Sequence, residues 1–186
     1  MARRDRTRQK IVDAHAALLR TGDLRPTAAR IAEQAGVSVR TLRDVFGDME
    51  TLFQASTDYW LVSDESLRST VDPEASLSQR IEEFCVERTR RLEAIAPAAR
   101  AAALLEHTSP ALAKSRRGHV QRVVDEVEGL FAAELSALPE PDAARDALVA
   151  VTSWNFWSML RDDLGRSAEE AEAAMRRAVA DLLGAD

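Results

Sequence analysis

Two arginines, Arg40 and Arg43, stand three residues apart among small hydroxyl and apolar side chains. A guanidinium can grip phosphate oxygens or read a guanine edge through two hydrogen bonds, so this pair is suited to recognition chemistry. Nearby, Thr27, Ser38 and Thr41 sit at expected helix starts. A hydroxyl there can cap free backbone N–H groups, and a phosphate oxygen can meet both. Simple capping is the alternative reading for each of the three, and for Thr27 and Ser38 the two roles are compatible. Catalytic chemistry finds less material. Cys85 has no histidine close to it in sequence, and His15, His107 and His119 lack the spacing of metal ligands. No catalytic, metal or cofactor site is expected, and the chain does not read as an enzyme.

The segment from Thr27 to Val45 has what is needed to hold the arginines in place. With Gly36 in a turn, Ile31, Val37, Leu42 and Val45 fall at apolar positions and Ala32 where two helices approach most closely. Two short helices crossing at about 90–120° need such a small contact, a flexible turn and an apolar wedge. Val39, Arg40, Arg43 and Asp44 are then expected to project away from the Leu42/Val45 wedge. Charge is uneven in the same sense: residues 1–53 hold ten Arg/Lys against seven Asp/Glu, while the whole chain is net −6. The basic start, Arg3, Arg4, Arg6, Arg8 and Lys10, fits a nucleic-acid contact as well as it fits a solvated tail.

The 186 residues are 46% hydrophobic and 30% charged, with seven glycines, six prolines and one cysteine. That is enough apolar material for a core. It lacks the alternation of strands, a disulfide framework, an 18-residue apolar run or a signal-peptide pattern. The expectation is an all-α protein of the cytoplasm without a membrane partner. Turn chemistry divides it into about nine helices. Ser38 and Asp48 cap the third and fourth, and the fourth runs to the Asp72-Pro73 stop. A Ser76/Gln79 capping box opens the fifth, and Pro97 separates it from a short sixth ending at His107. Ser109-Pro110 opens the seventh, the eighth runs from about Asp142 to Asp163, and a Ser167/Glu170 box opens the ninth.

The residues Thr27, Ile31, Ala32, Ala35, Gly36, Val37, Ser38, Thr41, Leu42, Phe46, Glu50 and Leu52, in this spacing, resemble the N-terminal domain of TetR-family bacterial transcriptional regulators. The resemblance covers about residues 6–53 and departs from the family pattern at Arg43, where an aromatic is usual, and at Met49, where a phosphate-binding lysine is usual. It implies a three-helix helix-turn-helix domain at 1–50 and a helical ligand-binding and dimerisation domain at 51–186. It also implies a homodimer on a palindromic double-stranded operator, with Thr27, Ser38, Val39, Arg40, Thr41, Arg43 and Asp44 at the DNA, released by a small hydrophobic effector. The alternative is a helical dimerisation or protein-interaction module without ligand control, which leaves the turn pattern and basic start unexplained.

Beyond residue 53 the pattern is harder to read. Arg88 falls on the apolar stripe of Leu77, Ile81, Phe84 and Leu92, so it needs a partner: an internal acid such as Glu106, or a ligand group. The effector pocket implied by the resemblance would be walled by Phe84, Leu104 and Trp154, with Arg88 and His107 as its polar groups. An aromatic-rich eighth helix serves core or interface as readily as a pocket. Leu148, Val151, Trp154 and Ser158, with Ala171, Ala174, Met175, Ala178, Val179 and Leu182, give the last two helices broad apolar faces suited to a dimer interface.

Overall fold

A computed structural model describes residues 3–69 and 71–185. Among them it holds nine α-helices, one π-helical turn and no strand, so the all-α expectation stands. The helices are α1 (Arg3–Arg20), α2 (Ala28–Gln34), α3 (Val39–Phe46), α4 (Met49–Ser66), α5 (Leu77–Leu105), α6 (Pro110–Ala137), α7 (Pro141–Val151), α8 (Trp154–Ser158) and α9 (Ala168–Leu183). The π turn, Met159–Asp163, follows α8 directly. No helix among the described residues is long and apolar enough to cross a membrane.

Contacts divide the chain into two compact units, Met1–Ser66 with Ala94–Arg116, and Leu67–Glu93 with Arg117–Asp186. In the first, Ile11 and Val12 of α1, Ile31 and Ala32 of α2, Leu42 and Phe46 of α3, and Leu52 of α4 share one buried cluster. Ala32 has the small side chain that a close helix crossing requires. Gly36, between α2 and α3, has φ +64, a left-handed conformation that glycine adopts without the Cβ penalty. In the second unit, Phe84 and Phe131 meet edge to face at 5.5 Å, and Val127, Leu148, Trp157, Met175 and Val179 are buried.

Most helix starts follow the local chemistry. Ser38 accepts from the Thr41 N–H, Asp48 from Thr51, and Ser76 and Gln79 form their box, as Ser167 and Glu170 do. Two expected boundaries move. Pro97 lies inside α5, which continues to Leu105. A proline removes one N–H and strains one turn, but Leu92, Ala96 and Ala101 on either side are buried, and that packing outweighs the local loss. The single eighth helix instead breaks at Thr152, with φ −105 and ψ 5, after which Ser153 caps α8. The Thr152 hydroxyl donates back to the Leu148 carbonyl at 2.7 Å, the kind of local bond by which threonine competes with a helix. The fourth helix also ends early, at Ser66, well before Asp72-Pro73.

Candidate nucleic-acid interface

α3 is sharply one-sided. Leu42 and Phe46 are buried and Val45 packs beside them, while Arg40, Arg43 and Asp44 are exposed. Val39 departs from the expectation: it is half-buried and packs against the same cluster rather than projecting outward, because it stands three residues before Leu42 on the same helix face. Met49 also packs there, so the residue that replaces the expected lysine serves the core. The outward polar face therefore consists of Arg40, Arg43 and Asp44, with Arg40 Nε 3.9 Å from Asp44 Oδ2.

The hydroxyls act as caps. Thr27 accepts from the Arg30 N–H at 3.3 Å and is exposed. Exposed Ser38 accepts from the Thr41 N–H at 3.0 Å, and its oxygen lies 2.9 Å from the half-buried Thr41 hydroxyl. Behind them, Arg8 stacks on Phe46 with 5.3 Å from guanidinium carbon to ring centroid. The basic start is thus helical from Arg3 onward, and Arg8 within it packs on Phe46 of α3.

Two contacts fix α4 within the first unit. Buried His15 of α1 and Ser56 of α4 are 2.8 Å apart, and burial pushes the imidazole pKa down to about 4, with Asp23 opposing weakly. Glu50 accepts from the Ser109 hydroxyl at 2.7 Å and the Ala111 N–H at 2.5 Å, so its carboxylate closes the N-terminus of α6. A carboxylate there is favoured by the free N–H groups and the helix dipole. At the surface, the Thr51 N–H holds the Asp48 carboxyl below its usual range.

The residues expected around an effector are divided between the two units. Leu104 and His107 are exposed residues of the first unit, whereas Phe84, Arg88 and Trp154 belong to the second. Nor does Arg88 meet Glu106. With α5 unbroken, the sequence after Pro97 does not fold back as a separate helix, and Glu106 pairs with Arg116 at 3.0 Å. Arg88 Nε instead donates to the Thr152 carbonyl at 2.8 Å, the carbonyl released where α7 ends. Arg88 Nη2 is 3.2 Å from His119 Nε2. Because a guanidinium only donates, that nitrogen accepts and the imidazole proton lies on Nδ1.

Sequence reasoning missed the rest of this cluster. Arg91 donates to Glu126 at 2.8 Å and to Glu87 at 3.2 Å, and Glu87 accepts from the Ser69 hydroxyl at 2.7 Å. Arg88 and Arg91 are each 1% exposed. The available signal was spacing, since Arg91 follows Arg88 by three on the stripe that carries Ile81 and Phe84. Arg80 acts similarly where Phe131 leaves helical geometry (φ −121, ψ 22): it donates to the Leu130 carbonyl at 2.6 Å and pairs with Glu134. That pairing lowers the Glu134 pKa. Cys85 is buried, and desolvation pushes its thiol up to about 12, leaving it unreactive.

Of the interface candidates, Leu148, Ala171, Met175 and Val179 are buried within the chain itself and offer no area to a partner. Val151, Trp154, Ser158, Ala174, Ala178 and Leu182 keep partial exposure.

The architecture is an all-helical chain with a helix-turn-helix in its N-terminal unit. It is similar over nearly its whole length to a TetR-family transcriptional regulator from Mesorhizobium loti MAFF303099, with a TM-score of 0.64 and 20% identity, covering 99% of this chain and 98% of the other. It is similar as well to a transcriptional regulator from Rhodococcus sp. Rha1, with a TM-score of 0.67 and 18% identity, covering 98% and 97% of the two chains. The fold is the one these regulators have. No protein-family model matches the sequence, and no curated protein matches it.

Proposed function

We propose that the chain is a DNA-binding transcriptional regulator of the TetR type. In this reading it is a repressor that holds a near-palindromic operator as a homodimer and is released when a small hydrophobic effector enters its second unit. The observation that carries the DNA-binding part is α3, whose apolar side is locked into the first unit while two arginines and an aspartate stand in solvent. Arg40, Arg43 and Asp44 face the bases and phosphates of the major groove; Thr27, Ser38 and Thr41 lie at the backbone. In a two-fold dimer the half-site centres fall about 34–36 Å apart, or at a multiple of that. The partly exposed side chains Val151, Trp154, Ser158, Ala174, Ala178 and Leu182 form the dimer contact. Arg88, held by the Thr152 carbonyl, is read as serving the fold. The effector and repressor parts are supported by the resemblance to the family.

Selection of bound duplexes from a random pool tests the reading, followed by affinity measurements at about 50 and 200 mM salt. Enrichment of a two-fold symmetric sequence with strong salt dependence is the expected result. Failure to bind any duplex at low salt returns the chain to the class of helical interaction modules. Truncation before Ser167 is expected to give monomers or insoluble protein, and a soluble dimer after truncation rules out the dimer contact.

A further inference from the structure

Asp44 is an odd residue on a surface that meets a polyanion. Arg40, Arg43 and Asp44 occupy positions i, i+3 and i+4 and so share one face of α3. Arg40 and Asp44 side chains are 91% and 68% exposed, and at 3.9 Å in water their pairing adds little to the helix. A carboxylate there repels phosphate and lowers affinity for every sequence alike, unless it finds a hydrogen-bond donor. In the major groove the donors are amino groups. Adenine sets its amino group between its own N7 and the thymine O4, two acceptors that repel a carboxylate, whereas cytosine N4–H2 has an acceptor on one side only, the O6 of the paired guanine. Arg40 matches the O6 and N7 of guanine. Four residues of helix rise by about 6 Å, under two base steps of about 3.4 Å.

We propose that Asp44 discriminates between bases: it accepts from cytosine N4 and holds Arg40 toward a guanine within two base steps. The proposal rests on the reading that α3 enters a duplex. Asp44 thereby exchanges general affinity for selectivity, because only sequences offering the donor offset its repulsion.

The experiment uses the full chain, as wild type, Asp44→Asn, Asp44→Ala and Arg40→Ala, each selecting from the same random duplex pool. Binding is then measured on the enriched duplex, on its single C→T variant and on unselected duplex. Wild type is expected to enrich a half-site with C and G within two steps. Both Asp44 variants should lose discrimination against T by roughly tenfold or more, and bind unselected duplex more tightly. Their salt dependence on unselected duplex should match that of wild type, since no phosphate contact is lost. Arg40→Ala should lose the guanine and keep the cytosine. Retention of the C preference in both Asp44 variants, or a loss of affinity that is uniform across sequences, overturns the proposal. A wild type that enriches nothing overturns the DNA-binding reading itself, a distinct result.

Discussion

In the first unit α3 turns Leu42 and Phe46 inward and leaves Arg40, Arg43 and Asp44 in solvent, whereas in the second unit α5 carries Arg88 and Arg91 into the interior. The same residue type is committed in opposite ways. On α3 the guanidinium groups cost little to keep hydrated and remain available to a partner. On α5 they are taken from water and are held by groups of the chain: Arg88 by the Thr152 carbonyl and Arg91 by the Glu87 and Glu126 carboxylates, while Arg80 of the same helix donates to the Leu130 carbonyl at a second helix break. Buried charge is tolerated here where irregular helices offer acceptors that would otherwise lack partners. Solvent-facing arginines on α3 thus stand apart from buried ones on α5 that satisfy acceptors of the chain itself.

The sharpest way to break that separation is Arg88→Ala. It leaves Glu126 short of a cation and the Thr152 carbonyl without its donor, with an expected loss of about 3–5 kcal/mol of stability in urea unfolding. A variant that unfolds at the wild-type midpoint would show that the buried arginines are dispensable. Next comes His15, the buried base of the first unit. Its folded pKa of about 4 lies below the ordinary 6.5, so the unfolded chain takes up the proton first as pH falls. Stability is therefore full above pH 6.5 and is lost between 6.5 and 4, by about 3 kcal/mol in all. His15→Asn should lack that part of the pH dependence when unfolding is followed from pH 7 to 4.5.

On the exposed side, Arg40→Ala and Arg43→Ala should each cost about 1–3 kcal/mol of DNA affinity where the arginine reads a base. Their thermal midpoints should stay at the wild-type value, the reverse of the Arg88 variant. Equal affinity for DNA in both would remove α3 as the reading helix. The smallest effect is expected at Ser38→Ala, where loss of the bond from the Thr41 N–H removes about 1 kcal/mol of stability. Rescue by Asp at this position, measured by thermal unfolding, separates the cap from a phosphate contact, which a carboxylate would weaken.

The helix-turn-helix is legible because its determinants are local. Ala32, Gly36, Ser38 and Leu42 lie within eleven residues, and each acts through its own backbone or a neighbouring turn. Two exceptions within it have the same origin. Val39 and Met49 have apolar side chains that could face either way, and packing against the cluster decides. The buried cluster of the second unit was only half visible. Helical period exposed Arg88, but its partners lie 31 and 64 residues away, and Arg91 meets Glu126 across 35. The break at Thr152 was missed because a Thr-Ser pair is compatible with a helix until tertiary contacts take its carbonyl. Pro97 misled in the other direction, since a proline signal is local and the burial that overrides it is not.

Glu50 sits in the first turn of α4, yet its hydrogen-bond partners, Ser109 and Ala111, lie 59 and 61 residues further along the chain. The first unit is closed by residues 94–116, so α3 leaves the ribosome well before its unit is complete. At about 5–20 residues per second, several seconds of synthesis separate the emergence of α4 from that of its cap. Until residues 109–111 have emerged, the Glu50 carboxylate lacks the partners it has in the folded unit.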